Sequence, residues 1–175
     1  VYSVVKQQYK TLKTEGNYNN NIGLPLTILR LKDEEVMILE MGMNHLNEMK
    51  ELSRIACPDI SAITNVGTAH IGELGSRENI LKAKLEIVAG MSDGSTLVIN
   101  GDNDMLSTVR FDNFKVVKVG VDCAAVFKAE KVILMDDHSE FTINYNGKVY
   151  QVVVPVPGNH FVLNALVAIA IGINL

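Results

Sequence analysis

Between Ile60 and Met91 the sequence passes from an apolar run (Ile60 to Thr64) through the glycine-rich turn TNVGTAHIGELGS into a helix-like stretch, Glu78 to Met91. The same order recurs on both sides. Val36 to Leu39 reads as a buried strand, followed by a helix from His45 to Ala56. Asn44 is its N-cap, Leu46, Met49, Leu52 and Ile55 or Ala56 form its inner face, and Pro58 stops it. Thr96 to Asn100 reads as another strand, followed by a short helix from Asn103 to Arg110. Alternating strands and helices are joined by crossovers, which lay successive strands parallel and put helices on the faces of the sheet. The expected fold is therefore α/β, with a mostly parallel sheet flanked by helices.

The flanks are read in the same way. Val1 to Gly16 has a helical pattern, with Val1, Val4, Val5 and Leu12 apolar and Gly16 as its stop. A polar loop, Asn17 to Pro25, leads to a short helix from Leu24 to Leu31 with Pro25 in its first turn. The composition changes near Lys115. Val116 to Gly120, Ala125 to Met135, Glu140 to Tyr145 and Lys148 to Val154 are β-rich, and Asn146-Gly147 is a two-residue hairpin turn. This predicts a small antiparallel β part over residues 115–156, with residues 1–114 and 157–175 forming the α/β part and a last helix beginning after Pro157. An α/β unit that opens on a helix lacks its first strand, so the chain is expected to be a fragment, shortened at that end and at the other.

Composition excludes several partners. A net charge of −4 without a basic cluster argues against nucleic acid or an anionic membrane surface. Apolar runs such as Ala165 to Ile171 are too short to cross a bilayer. Cys57 and Cys123 stand alone and far apart, which fits reduced thiols in a cytoplasm rather than a disulfide framework.

In parallel sheets ligands collect beyond the carboxyl ends of the strands. Glu40, Asn65 with His70, and Asn100 with Asp102 each follow a strand at that edge. Asn100 and Asp102 belong to Asn-Gly-Asp, ordinary turn chemistry. Lys84 is more informative: its helical neighbours three and four positions away, Ile80, Leu81, Ile87 and Val88, are all apolar. Lys82 instead has Glu78, Asn79, Leu85 and Glu86. A lysine on the buried stripe either snorkels to the helix edge or becomes a neutral amine through desolvation. A neutral amine can capture carbon dioxide and become a carbamate, an anionic oxygen ligand. With the Glu40 carboxylate and the His70 imidazole, such a group would hold a hard divalent cation. Alone, Glu40 could equally be a solvated carboxylate and His70 a turn histidine. His45 and His138 read as surface residues, and Met37, Met41, Met43 and Met49 as core filler.

The blocks EMGMN, TNVGTAHIGELGSRENILKAKLEI and PGNHFVLNALVAIA together resemble the central domain of the Mur ligases, most of all the MurF branch. That resemblance implies a P-loop-NTPase-like domain of an ATP- and Mg2+-dependent amide-forming ligase of peptidoglycan synthesis. Such an enzyme joins UDP-N-acetylmuramoyl-tripeptide to D-alanyl-D-alanine through an acyl phosphate. It implies Glu40 and His70 as magnesium ligands, Lys84 as a carbamylated lysine in the setting Ala83-Lys84-Leu85-Glu86, and catalytic roles for Lys84 and His70. Asn65, His160 and Asn164 fall on the nucleotide side, and Asn19 and Asn20 on the substrate side. The sequence departs from the family twice. His160 is followed by Phe161 in place of the usual asparagine. The phosphate loop GxxxxGK[ST] is missing from the 175 residues, so the chain alone is expected to be inactive, with further N- and C-terminal domains elsewhere in the protein. Two other classes remain open. A hydrolase built round a carbamylated lysine would need more histidines than four scattered ones without an HxH pair. A non-catalytic binding module would be consistent with the missing phosphate loop, and another Mur-type or cyanophycin-synthetase-like ligase is the alternative within the class.

Overall fold

The computed structural model describes residues Val1–Leu175. In chain order the elements are α1 (Tyr2–Val5), β1 (Thr11–Lys13), α2 (Gly23–Ile28), β2 (Val36–Ile38), α3 (Glu48–Ala56), β3 (Ile60–Ile63), α4 (Ile71–Leu74), α5 (Arg77–Leu85), β4 (Thr96–Asn100), β5 (Lys115–Gly120), β6 (Phe127–Lys128), β7 (Glu130–Leu134), β8 (Ser139–Tyr145), β9 (Lys148–Val154) and α6 (Asn159–Asn174). The strands β3-β4-β5-β6 form a parallel sheet, β1 pairs in parallel with β2, and β7-β8-β9 form an antiparallel sheet. This is the α/β architecture expected from the alternation of elements.

Every residue of β4 is buried, as a strand covered on both faces requires. Its alternate side chains feed two cores. Leu97 and Ile99 join Ile63, Val66, Met49, Ile80 and Ala83 on the side of α3 and α5. Val98 joins Val117, Val119, Val162, Leu166 and Phe141 on the side of α6 and the antiparallel sheet. The Nζ of Lys115, at the start of β5, donates to Asn174 Oδ1 near the end of α6 (2.7 Å). The helix therefore runs antiparallel to the strand, and its first turn stands at the carboxyl edge of the sheet.

Several sequence expectations are corrected. Only Tyr2–Val5 of the expected first helix is helical. Thr11–Lys13 is a strand because β2 offers it a parallel partner, in register from Thr11 with Val36 to Lys13 with Ile38, and tertiary pairing outweighs local propensity. The third helix begins at Glu48 rather than His45. The Glu48 carboxylate accepts the backbone N–H groups of Asn44 (2.7 Å) and His45 (3.2 Å), so Asn44 is not the cap, and Asn47 precedes the helix at φ 74°. Met49 and Leu52 face inward with Ser53, whereas Ile55 is exposed. The helix carrying Lys84 closes at Leu85 and tightens into a 3-10 turn over Glu86–Gly90, while Asn103 to Arg110 holds only a 3-10 turn at Leu106–Thr108. Lys115–Gly120 and Phe127–Lys128, assigned from composition to the antiparallel part, complete the parallel sheet, and antiparallel pairing begins at Glu130. Their β-branched character announces a strand but not its direction. The hairpin at Asn146-Gly147 is present, with φ positive at both residues (51° and 75°).

No backbone hydrogen bond joins β2 to β3. Between them lies a largely apolar cleft of about 540 Å3, lined by Val36, Ile38, Ile60, Ala62, Val5 and Ile171 among others. No helix is long and apolar enough to cross a membrane.

Candidate functional site

A second cavity, of about 550 Å3, opens where β2 and α5 deliver their chemistry. Asn19, Asn20, Glu40, His70 and Lys84 all line it, together with Glu48 and Glu51 of α3. Five of the eight site residues expected from sequence thus share one space, although they come from four separate segments of the chain.

Glu40 follows β2, and the preceding loop locks it in place. Its N–H donates to Thr14 Oγ1 (2.9 Å), and Asn19 Nδ2 donates to its Oε1 (3.0 Å). The N–H of Gly42 donates to the Asn19 carbonyl (2.8 Å), and a Cβ on Gly42 would sit 3.1 Å from the Asn19 carboxamide carbon. The glycine of EMG is therefore what lets the Asn19 amide lie against this segment and reach the carboxylate. Asn20 uses its Oδ1 to accept from the N–H groups of Ile22 (3.1 Å) and Gly23 (2.8 Å), fixing the entry to α2.

Lys84 lies on the half-buried face of α5, beside fully buried Ala83 and Ile80, while Lys82 is exposed. Burial is the sole cause lowering its pKa, so desolvation makes the neutral amine more accessible than for an ordinary lysine. The far end of this segment is braced. Glu86 accepts the Asn47 N–H with both oxygens (2.9 and 2.8 Å), and Ser53 Oγ bonds the Ile87 carbonyl while accepting the Gly90 N–H (3.0 Å).

His70 is exposed, with φ at 64°, and caps the single turn α4 through its carbonyl, which accepts from Leu74 (3.0 Å). Asn65 is not at this cavity. Its Oδ1 accepts from Asn103 Nδ2 (2.9 Å). His160 and Asn164 are exposed on the first turns of α6, with the His160 ring 4.1 Å from that of Phe161. They stand at the same carboxyl edge, on the sheet face opposite α5. Asn100 and Asp102 are turn formers, as read from sequence: Asn100 Oδ1 accepts from the Asp102 N–H (3.0 Å), and the Asp102 carboxylate accepts N–H groups of Val121, Asp122 and Cys123.

Sequence reasoning missed Glu48. Hydrogen bonds from the Asn44 backbone and then the His45 ring hold its carboxyl below the usual glutamate range, so it adds a negative charge to the cavity wall. The signal for it was present, since an acidic residue in the first turn of a helix suits unpaired N–H groups just before it.

No three carboxylate, imidazole or thiol side chains converge into a preformed metal cage. Structural zinc needs such a cage, whereas magnesium keeps several waters and takes one or two protein oxygens beside ligand phosphates. Glu40, His70 and Lys84 form a sparse set that fits the second case, with Glu40 as the protein oxygen.

Comparison with known proteins gives the family and agrees with the fold. The chain is 39% identical over 173 residues to the UDP-N-acetylmuramoyl-tripeptide--D-alanyl-D-alanine ligase of Bacillus subtilis, covering 98% of this chain and 37% of that protein. It is 32% identical over 177 residues to the Escherichia coli protein of the same name, covering 99% of this chain and 39% of that one. Among solved structures it superposes on MurF from Acinetobacter baumannii with a TM-score of 0.92 at 28% identity, over 99% of this chain and 39% of that chain. The chain thus spans about two fifths of the length of the relatives it matches. Residues 1–172 match the model of the Mur ligase middle domain, and the chain belongs to the Mur ligase family.

Proposed function

We propose that this chain is the ATP-binding core of a ligase that joins D-alanyl-D-alanine to UDP-N-acetylmuramoyl-tripeptide, activating the tripeptide carboxylate as an acyl phosphate that the incoming amine attacks. The observation that carries this reading is the convergence of Glu40, His70 and Lys84 on one cavity with Asn19 and Asn20 at its wall. Bound magnesium would neutralise phosphate charge there. Glu40, oriented by Asn19, and His70 are the residues to hold it, with Lys84 as the third ligand. For that role the neutral Lys84 Nζ attacks the carbon of carbon dioxide: an N–C bond forms, one C–O π pair becomes the anionic oxygen, and the amine proton leaves. The lowered pKa of Lys84 favours this step.

His160 and Asn164 on α6, with Asn65 across the carboxyl edge, are assigned to the nucleotide. The phosphate loop that ATP needs is absent from residues 1–175. The strand-free cleft between β2 and β3 is a place for protein sequence outside these residues to bring it. Remaining contacts to the tripeptide and the dipeptide belong to N- and C-terminal domains of the same protein. Two free thiols are consistent with a cytoplasmic site of action.

The test uses the full-length protein with ATP, magnesium, UDP-N-acetylmuramoyl-tripeptide and D-alanyl-D-alanine. Phosphate release that requires both acceptor and donor, and that falls by about three orders of magnitude in Lys84→Ala, supports the reading. Failure of the wild-type protein to release phosphate with all four present would overturn it.

A further inference from the structure

The loop that carries His70 is gripped at both ends by side chains of the helix that carries Lys84. Residues 67–73 make backbone hydrogen bonds only among themselves and with their immediate flanks: Ile71 to Thr68, Glu73 and Leu74 to His70, and Gly75 to Ile71. Their side chains are largely exposed. At one end the loop is anchored by buried Val66, whose carbonyl accepts from Arg77 Nη2 (2.9 Å) and Asn103 Nδ2 (3.3 Å). At the other it is anchored by buried Leu74, whose carbonyl accepts from Asn79 Nδ2 (2.7 Å). Arg77 and Asn79 both lie in the first turn of α5.

Arg77 is out of place by helix electrostatics, because a cation in the first turn faces the positive end of the helix dipole. It is retained by a bidentate pair with Asp104, at 2.8 and 2.6 Å. That pair leaves the Nη2 group shared between Asp104 and the Val66 carbonyl. Asp104 follows β4, and neighbouring Asn103 holds Asn65 and Val66 while its Oδ1 accepts from Met105 (3.2 Å) and Leu106 (3.0 Å). The clamp is thus fixed to the sheet as well as to the helix.

We propose that Arg77 and Asn79 are positioning residues that set His70 relative to Lys84 across the cavity. This rests on the ligase reading above, and it adds that α5 gauges the site: its first turn grips both arms of the His70 loop, and its last turn presents Lys84. Lysine in place of Arg77 keeps the charge but not the planar fork that serves two acceptors at once.

The experiment measures, in the full-length protein, the magnesium concentration for half-maximal activity, the KM for D-alanyl-D-alanine and the midpoint of thermal unfolding. The variants are Arg77→Ala, Arg77→Lys and Asn79→Ala, each also combined with His70→Ala. The expected result is a magnesium requirement raised about tenfold by Arg77→Ala, partly restored by Arg77→Lys, with the dipeptide KM unchanged. In the His70→Ala background the Arg77 and Asn79 changes should add nothing to the magnesium requirement, whereas independent sites would add. If Arg77→Ala does not fold, Arg77→Lys and Asn79→Ala decide by the same measurements. A wild-type protein that ligates, together with variants that lose stability or kcat at an unchanged magnesium requirement, or that remain additive with His70→Ala, overturns the proposal. A wild-type protein that does not ligate overturns the ligase reading instead.

Discussion

Asn19 Nδ2 donates to Glu40 Oε1 at 3.0 Å, so the polar loop before α2 holds the carboxylate at the end of β2. The two lie 21 residues apart in sequence, and Gly42 leaves the room that brings them together. Under the ligase reading, Asn19 orients a metal ligand. Asn19→Ala in the full-length protein should raise the magnesium requirement by about tenfold to a hundredfold, the range for loss of an orienting partner. Unfolding should change little, because the pair is exposed and a neutral donor is removed from water-accessible space. Titration of activity against magnesium checks this, and an unchanged requirement would remove Asn19 from the site.

Gly42→Ala should reproduce the Asn19 phenotype in weaker form. The added Cβ would press on the Asn19 carboxamide at 3.1 to 3.2 Å, a contact that a few tenths of an ångström of side-chain movement relieves at the expense of the Glu40 bond. Comparing the magnesium requirements of Gly42→Ala and the double variant with Asn19→Ala shows whether both act through one contact, since coupled changes do not add.

Lys84 makes a pH-dependent contribution with a definite sign. Its folded pKa is lowered by burial. Between that lowered value and the ordinary lysine value the unfolded chain retains a proton that the folded protein has released, so stability rises with pH across this window. Below the window the folded protein carries a desolvated ammonium. Lys84→Met removes that burden, so it should be more stable than wild type at neutral pH, with the difference shrinking as pH climbs through the window. Urea unfolding at several pH values checks the sign. Under the ligase reading, 13C-bicarbonate should give the wild-type protein a carbamate carbon resonance that this variant lacks.

Gly90 and Gly147 should separate packing from turn chemistry. A Cβ on Gly90 would meet the Ser53 carbonyl oxygen at 1.9 Å, with backbone on both sides of the contact. Gly90→Ala should therefore cost about 3 kcal/mol, the upper part of the usual overpacking range, and should displace the turn after Lys84. Gly147 has open space around it, and its φ of 75° is its only constraint. Gly147→Ala should cost about 1 kcal/mol and leave ligation unchanged. Denaturant unfolding with activity assays distinguishes the two.

The sequence by itself determined the α/β alternation, the helix that places Lys84 on an apolar stripe and the Asn146-Gly147 hairpin. Each is written in local periodicity or in turn residues with no freedom to do otherwise. The three segments carrying Glu40, His70 and Lys84 were also legible, from strand ends and from the family's motif blocks. Tertiary structure decided what depends on partners distant in the chain. Thr11–Lys13 is a strand because β2 lies beside it, Lys115–Gly120 is parallel because β4 is its neighbour, and Glu48 rather than Asn44 organises the start of α3. The same holds within the site. Asn65 and Asn103 are 38 residues apart, and Arg77 and Asp104 are 27 apart. Such hydrogen bonds form only after the sheet has brought their loops to one edge, so no local pattern could announce them.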